Sequence, residues 1–354
     1  MRAVKNHPIS SDAKERRVKH AAIVLFLSLI ISSVIHGQEN RALRLVAKIP
    51  VPTMTGTWDH LAADSATKRL FLSAQDDNAV QVIDLAARKP LPAITGGFNR
   101  PQGLYYVSGS DTLAVSNGRD GTLRSFDGKT FTPIKTIPLT LGADMMDYDP
   151  GTKYLYVDHG GIDSHRGPGG LALIDVAKWE QVGNITTEYR PAALEFESIS
   201  QRLFVTLPGL SQVGVVDTKT GQIISRFQAP QPAKPVALAL DTAHHRLFVG
   251  TRTPDGFLAF DTDSGKVVAT LGSVGGIEGM YFDAAHKRVY VTGLEGVVEA
   301  YQEVDADNYK SIAKIPIVPK AGTSLFIPQL NLFCVAAPPH DGQAAEIWLF
   351  EPLP

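Results

Sequence analysis

A short apolar block recurs seven times along this chain, and this repetition restricts the possible folds more than any other feature. The blocks follow one another at intervals of about 42 to 48 residues and start at Leu70, Leu113, Leu155, Leu203, Leu247, Val289 and Leu332. Self-similarity at such a period is the signature of a repeat fold, in which each unit buries its apolar face against its neighbours. With 354 residues, of which 44% are hydrophobic, the chain is long enough for one large fold of this kind.

Each repeat has the pattern of four short strands. A second apolar strand follows each block about ten residues later, and an acid usually closes it: Asp84, Asp127, Asp175, Asp217 and Asp261. We interpret these acids as acceptors for turn amides, because chemistry rarely needs the same carboxylate five times. One strand precedes the block and another follows the turn. The pattern predicts an all-β fold, a seven-bladed β-propeller of four-stranded blades over residues 42–352.

The two ends of the repeat array complement each other. The last repeat ends with Ile347, Trp348, Leu349 and Phe350 and has no fourth strand of its own, whereas residues 43–51 supply a strand that belongs to no repeat. We expect this N-terminal strand to complete the last blade and close the ring, since an open array would expose two unpaired sheet edges.

The first 37 residues have the composition of a secretory signal. A basic leader precedes an uncharged stretch at residues 21–35, which is the order of a signal peptide. As a helix this stretch would reach only about 22 Å, short of the roughly 30 Å hydrocarbon thickness. We therefore predict a signal peptide at residues 1–37 and a periplasmic or secreted protein. Because Ile35 departs from the usual cleavage pattern, an uncleaved inner-membrane anchor stays open, and this segment is the membrane contact that we expect.

The charge balance and the cysteine count exclude some functions. Thirty-four basic and 36 acidic side chains give a net charge of −2, which argues against an extended surface for double-stranded nucleic acid. The single cysteine, Cys334, rules out an internal disulfide and a cysteine-based structural metal site. We expect a monomer.

The repeat blocks resemble a known family. The Tyr290-Val291-Thr292-Gly293 block and its sister blocks are similar to the YVTN, or YncE-like, β-propeller repeat proteins, and the phrases at residues 58–64, 244–250 and 306–309 look like an exported bacterial branch of that group. The resemblance covers residues 42–352 and implies a seven-bladed ring related to quinoprotein dehydrogenase, haem d1 nitrite reductase and lactonase-type propellers. It implies no activity, because this scaffold carries many unrelated ones.

Propeller topology sorts the polar residues onto two faces. One face carries the turns at residues 64–68, 149–152, 241–245 and 283–286, which we interpret as ordinary turn chemistry. Three histidines in these turns, His244, His245 and His286, could suggest a metal site. We interpret them as solvated surface histidines, because two come from one turn and the third from the next blade.

The other face is richer in functional side chains. The starts of the innermost strands and the loops between second and third strands bring carboxylates, guanidinium groups and imidazoles to one mouth of the channel, and the predicted binding residues are Asp59, His60, Arg100, Asp144, His159, Arg190, Arg252 and Glu278. The arginines suit carboxylate or phosphate groups. His60 is the candidate acid or base for any reaction. The competing interpretation is a hydrated structural rim, in which these groups pair with one another.

The third repeat contains an insertion. Residues 160–170 are rich in glycine and predict a loop on the polar face, either a flap over the channel or a plain insertion. The segment is not a phosphate-binding loop, because no Gly-Lys-Ser or Gly-Lys-Thr ending follows it.

These features favour a binding module for a polar or anionic small molecule or an envelope protein, acting through the polar channel mouth. A scaffold that uses the blade rims is a variant of this hypothesis. The alternative is a channel-centred enzyme of lactonase or quinoprotein-dehydrogenase type. Neither a Gly-x-Ser-x-Gly elbow nor a His-Glu-x-x-His pair occurs. We expect no metal or cofactor, the alternative being calcium or another divalent cation held in the channel by Asp59 or His60 with Asp144 and Glu278.

Overall fold

The computed structural model describes residues 42–161 and 166–354, and they form an all-β, seven-bladed propeller. The N-terminal strand is β1 (Leu43–Pro50). The first four blades contain, from the axis outward, β2 (Trp58–Asp64), β3 (Arg69–Ala74), β4 (Ala79–Asp84) and the split strand β5 (Lys89–Pro90) and β6 (Ile94–Thr95); β7 (Pro101–Val107), β8 (Thr112–Asn117), β9 (Thr122–Asp127) and β10 (Pro133–Pro138); β11 (Met146–Asp149), β12 (Tyr154–Gly161), β13 (Arg166–Asp175) and β14 (Glu180–Thr187); β15 (Leu194–Glu197), β16 (Arg202–Leu207), β17 (Gln212–Asp217) and β18 (Gln222–Gln228).

The last three blades follow the same order. They contain β19 (Lys234–Asp241), β20 (Arg246–Arg252), β21 (Gly256–Asp261) and β22 (Val267–Gly272); β23 (Ile277–Asp283), β24 (Arg288–Gly293), β25 (Val297–Asp305) and β26 (Asn308–Pro316); β27 (Ser324–Ile327), β28 (Leu332–Ala337) and β29 (Glu346–Pro352), to which β1 adds the outermost strand. Short 3-10 helices lie at Pro208–Leu210 and Pro328–Leu330.

The burial of each strand follows from its place in the blade. The second strands are covered by the neighbouring blades on both faces, so all six residues of β8 are buried. This explains why the repeated blocks are continuously apolar rather than alternating. The outermost strands have a blade on each side but solvent along their free edge, and five of the six residues of β10 are exposed.

The predicted ring closure is confirmed. β1 pairs antiparallel with β29 from Leu43 opposite Pro352 to Pro50 opposite Glu346. The pairing continues past the strand end, where the Val51 amide donates to the carbonyl oxygen of Ala345 (2.7 Å). Both ends of the propeller chain therefore belong to one blade, and the ring is held by a ladder of backbone hydrogen bonds with one register shift, between Leu45 and Ala47.

The acids that close the third strands bind turn amides as expected. Asp217 is representative, because its Oδ1 accepts from the amides of Lys219 (2.9 Å) and Thr220 (2.8 Å). The acids at the ends of the innermost strands do the same, as Asp149 does for Gly151 and Thr152. These carboxylates stabilise turns in place of missing backbone partners.

An arginine at the start of the second strand ties four blades to the blade that follows. Arg202 Nε donates to Glu197 in its own blade (2.6 Å), and its Nη1 donates to the carbonyl oxygen of Thr262 in the next blade (2.6 Å). The equivalent arginines and their next-blade carbonyl acceptors are Arg69 with Gly128, Arg246 with Ala306, and Arg288 with Leu353. We call these contacts arginine staples.

The insertion in the third repeat lengthens a hairpin. β12 continues to Gly161 and β13 begins at Arg166, with Gly160 paired opposite Gly169. Most of the expected glycine-rich loop is therefore strand, which is a correction to the loop prediction. The positive φ of Gly160 (82°) and Gly161 (60°) supplies the bend that ends the strand.

The expected signal at residues 1–37 lies outside the described residues, so it stays a prediction. Within the part of the chain that the structure describes, no helix is long and apolar enough to cross a membrane.

Candidate functional site

The innermost strands of all seven blades enclose a central cavity of about 490 Å³. Its acidic and basic lining residues come from the predicted mouth and from deeper in the channel: Asp59, His60, Asp144, Asp147, Arg190, Glu195, Arg252, Glu278 and Lys320. The structure therefore brings six of the eight predicted binding residues to one cavity. Arg100 and His159 are not among the residues that line it.

A β-bulge at the start of the innermost strand sets the direction of the site side chains. In the first blade the register shifts between Trp58 and Leu61. The His60 amide, displaced from the regular ladder, donates to the Ser73 hydroxyl (2.9 Å). Bulges at the same place interrupt β7, β19 and β23. Such bulges re-aim side chains, and here they serve the rim of the channel.

His60 lies between two carboxylates at the channel mouth. Its Nε2 is 3.2 Å from Asp144 Oδ1 and 3.6 Å from Asp59 Oδ1. Burial opposes charge on the imidazole, but the fields of Asp59 and Asp144 outweigh it and raise the pKa of His60 to about 9. The ring is therefore an imidazolium at neutral pH, with 29% of its side chain exposed to the channel.

Arg190 supports this arrangement from the neighbouring blade. Its guanidinium donates to Asp144 Oδ2, and its Nε is 3.7 Å from Asp158 Oδ2. Although burial favours the neutral acid, Arg190 and His60 hold the pKa of Asp144 down to about 2. Burial raises the pKa of Asp158 well above its usual range, against the pull of Arg190. Asp144 is thus the fixed anion of the cluster.

Asp59 is held by two amide side chains. Gln75 donates to its Oδ2, as does Gln102 (3.3 Å) from the second blade. Burial, together with the charge of Asp144, raises the pKa of Asp59 to about 6. Arg100 lies behind this carboxylate, since its Nε donates to Gln75 Oε1 (3.4 Å), and it therefore reaches the site through Gln75.

Arg252 and Glu278 form a second pair on the same rim. Arg252 Nη2 is 2.6 Å from Glu278 Oε1, and its Nε donates to the carbonyl oxygen of Ile277 (2.8 Å). About a third of the Arg252 side chain (35%) is exposed to the channel. This guanidinium is thus fixed by the protein on one side and open on the other.

His159 lies away from the cavity. Its Nδ1 is 2.7 Å from Thr140 Oγ1 and its Nε2 is 2.6 Å from Asn184 Oδ1, so both ring nitrogens are occupied within the third blade. Gly170 makes room for the ring, because a Cβ there would lie 3.2 Å from His159 Nε2. The preceding residue, Asp158, points to the opposite side of the strand and reaches Arg190 instead.

Two carboxyl groups deeper in the channel were missed by the sequence analysis. Burial raises the pKa of Asp147 to about 7, and it raises the pKa of Glu195 well above its usual range, with the charge of Asp147 acting in the same direction. The available signal was the presence of two acids inside otherwise apolar innermost strands. In its protonated form each carboxyl group can donate a hydrogen bond to a ligand in the channel.

The turn histidines on the opposite face differ from one another. The interpretation as solvated surface residues holds for His245, whose side chain is 56% exposed. His244 and His286 are partly exposed, at 38% and 21% of the side chain, and each also contacts a buried aspartate of its own turn, since its Nδ1 is 2.7 Å from Asp241 or Asp283. These turns replace the Thr67 hydroxyl of the first blade, which donates to Asp64, with an imidazole.

The mouth has a donor set that fits a cation poorly. Asp59, His60 and Asp144 place one ligand atom each within 4.8 Å of one another. However, calcium prefers oxygen ligands, whereas one of the three ligands here is an imidazole, and the Arg190 guanidinium already donates to Asp144 Oδ2. The cluster is already neutralised by the His60 and Arg190 charges.

Comparisons with solved structures support the fold. The chain is similar to hydrazine synthase of Kuenenia stuttgartiensis, with 17% identity, a TM-score of 0.69, and coverage of 81% of this chain and 94% of that one. It is also similar to a chain in the crystal structure of a mitotic checkpoint complex, with 13% identity, a TM-score of 0.72, and coverage of 89% and 93%. No protein family and no curated protein matches the sequence. At these identities the likeness shows a shared propeller fold and nothing further.

Proposed function

We propose that this protein is a ligand-binding β-propeller whose central channel holds a small polar molecule bearing an anionic group. The observation that carries the proposal is the His60 imidazolium, fixed between Asp59 and Asp144 at the opening of a closed ring. A charged N–H donor held in place before the ligand arrives is suited to a carboxylate or phosphate oxygen.

The charge around the mouth supports an anionic group. Arg252 is partly exposed to the same cavity as His60, and Lys320 also lines it. Deeper in the channel, burial disfavours charge on the carboxyl groups of Asp147 and Glu195, which accept hydrogen bonds from hydroxyl groups and, when protonated, also donate them. A ligand with an anionic end and a hydroxylated body satisfies both zones.

The size of the cavity favours a small molecule over an envelope protein as the partner. A volume of about 490 Å³ falls within the range of small-molecule sites, about 300 to 1,000 Å³. A protein partner would have to insert a side chain into the mouth or use the blade rims.

Calorimetric titration with a panel of small hydroxy acids, sugar acids and sugar phosphates tests the proposal. We expect at least one to bind, and His60→Gln or Arg252→Ala to weaken it by about tenfold or more, since a lost charge-assisted hydrogen bond costs about 1.5 kcal/mol or more. Arg190 is a poor test position, because its removal leaves Asp144 and Asp158 buried without their cation. His286→Ala, on the opposite face, is the matched control.

Loss of binding in His286→Ala with unchanged binding in His60→Gln would move the ligand to the opposite face. Failure of the whole panel, together with capture of a protein that the His60 and Arg252 variants still bind, would leave the mouth as a hydrated rim and favour the scaffold hypothesis.

A channel-centred enzyme is the second candidate, and the pKa of Asp147 favours it. A carboxyl group with a pKa near 7 can take up and release protons at neutral pH. His60, charged at that pH, would act as an acid rather than a base. The test is turnover of lactones or esters. Turnover by the wild type that is abolished in Asp147→Asn, although this variant still binds the substrate, would support the enzyme hypothesis. Retention of turnover in that variant would contradict it.

Export and membership of the exported YVTN branch are part of the same proposal. Their support is the basic leader, the uncharged stretch at residues 21–35 and the repeat blocks. A fusion of residues 1–40 to a reporter that matures only outside the cytoplasm should give signal. A silent reporter would contradict export without affecting the channel hypothesis.

A further inference from the structure

A crevice between neighbouring blades recurs around the ring on the face opposite the polar mouth. Two positions meet there. The first is the last residue of an innermost strand. The second belongs to the next blade and comes directly after the position that the closing acid, such as Asp261, occupies in the third strand. Around the ring this second position holds Leu85, Gly128, Val176, Thr218, Thr262, Glu303 and Pro352. Glu303 is the one ionisable residue in that series. It follows that the crevice between the fifth and sixth blades differs chemically from the others.

The neighbouring crevice shows what the regular contact looks like. Between the fourth and fifth blades the Thr262 hydroxyl lies 3.4 Å from Glu197 Oε1, where a neutral donor meets a buried acid. Between the fifth and sixth blades Glu303 takes the place of Thr262, and Asp241 takes the place of Glu197. Two acids therefore face each other in this crevice, whereas in the neighbouring crevice a hydroxyl group faces one acid.

His244 lies between these two acids. Its Nδ1 is 2.7 Å from Asp241 Oδ2 and 2.7 Å from Glu303 Oε1. Asp241 and Glu303 are 3% and 4% exposed, whereas 38% of the His244 side chain is exposed to solvent. A single Nδ1 carries at most one hydrogen, so it cannot satisfy both carboxylates.

The buried carboxylate of Glu303 is not fully compensated by positive charge or hydrogen bonds. Neither of its carboxylate oxygens has a well-formed hydrogen bond within residues 42–161 and 166–354. A buried carboxylate that shares its one close donor with a second carboxylate is costly, and proteins compensate such groups with a proton, a cationic side chain or a metal ion.

We propose that Asp241, His244 and Glu303 form a binding site for a divalent transition-metal cation of the zinc class. His244 Nδ1 and one oxygen from each carboxylate are ligand atoms that lie within 4.8 Å of one another. Zinc takes imidazole and carboxylate ligands at about 2.0 to 2.2 Å, and this mixture favours zinc over calcium. Water fills the remaining position on the exposed side of His244. The ion joins the turn of the fifth blade to the third strand of the sixth, so its role is to stabilise the ring.

The sixth blade provides a natural control. Its turn repeats the first two ligands, with His286 Nδ1 2.7 Å from Asp283 Oδ2. The third position is Pro352, whose side chain offers no ligand atom. The aspartate and histidine of a turn are therefore present in both crevices, and Glu303 distinguishes the two.

The test is zinc titration of tag-free, full-length protein that has been stripped with EDTA, followed by calorimetry and thermal unfolding. We expect one saturable equivalent and a higher melting temperature. Glu303→Gln and His244→Ala should each weaken zinc binding by about 100-fold or more, because even residues that only orient a ligand are worth about 10- to 100-fold. His286→Ala should bind zinc as the wild type does, and so should His60→Ala, which removes the channel imidazole.

Absence of saturable zinc uptake by the wild-type protein would overturn the site, whatever the folding of the variants. Unchanged uptake in Glu303→Gln would also overturn it. Uptake that is lost in His60→Ala but kept in His244→Ala would place the ion in the channel instead. A higher melting temperature of Glu303→Gln without zinc, combined with no zinc effect on the wild type, would assign Glu303 to a proton.

Discussion

At the scale of single residues, sequence position decided which face a side chain reaches but not its distance from the axis. Asp59, His60 and Asp144 were placed correctly because they lie at or just before the start of an innermost strand. His159 belongs to a second strand, about 4.8 Å farther out, and its ring turns toward Asn184. Asp158, which is buried, contacts Arg190 of the site instead, since consecutive strand residues face opposite ways. Which of two neighbouring polar residues faces the channel depends on the local register, which a repeat period does not provide.

The protonation of His60 gives a pH-dependent stability. Its pKa is raised from 6.5 to about 9, so the folded state binds the proton more tightly than the unfolded chain does. The resulting stability is fully present below about pH 6.5 and is lost as the pH rises through 9, with a magnitude of at most about 3 kcal/mol. Urea unfolding at pH 7 and pH 10 should show the free-energy advantage of the wild type over His60→Gln shrinking. An advantage that stays constant or grows over this range would contradict the raised pKa.

At the scale of elements, the turn between the innermost and second strands of a blade does more than reverse the chain. In four blades it is also the place where an arginine staple binds the next blade. The sequence analysis interpreted the acids in these turns as ordinary turn chemistry, which is confirmed for their contacts with amides. It missed the arginine staples, although an acid followed five residues later by arginine recurs in four repeats, as in Glu197 and Arg202. The acceptor of each staple is a backbone carbonyl about sixty residues away. Every residue has a backbone carbonyl, so the sequence does not show which one accepts the hydrogen bond.

Removing a staple should destabilise the ring by a large amount. Arg202→Met leaves the buried Glu197 carboxylate without its cation, which should cost about 3 to 5 kcal/mol. Urea unfolding measures this loss. Arg226→Met is the matched control, because its partner Glu188 is 55% exposed and such a surface pair contributes about 1 kcal/mol or less. Equal losses in the two variants would show that the staples add nothing beyond surface ion pairs.

At the scale of the whole molecule, the fold could be predicted because the same four-strand pattern occurs seven times, and each copy indicates the same blade. The second strands in the structure begin at or one residue before the blocks, and β1 pairs where the missing fourth strand required a partner. The split outermost strand of the first blade and the extended hairpin of the third were not predicted. Both depart from the shared pattern, so repetition carries no information about them.

Ring closure should control stability. Protein comprising residues 52–354 lacks β1 and leaves the edge of β29 unpaired, so we expect a lower melting temperature and aggregation relative to residues 42–354. Differential scanning calorimetry with light scattering measures both effects. Coincident melting curves for the two proteins would show that the last blade is stable with three strands.

The seventh blade also imposes an order on assembly. β1 is synthesised first among the strands, and its partner β29 last. Six blades can form their hairpins from neighbouring segments while the chain is still growing, because their contacts are short-range. β1 has to wait through that whole period with its edge free. A chain interrupted before β29 therefore keeps β1 with an unpaired edge that can pair with other chains. A quality-control protease or holdase that recognises unpaired strand edges can distinguish this chain from the finished protein.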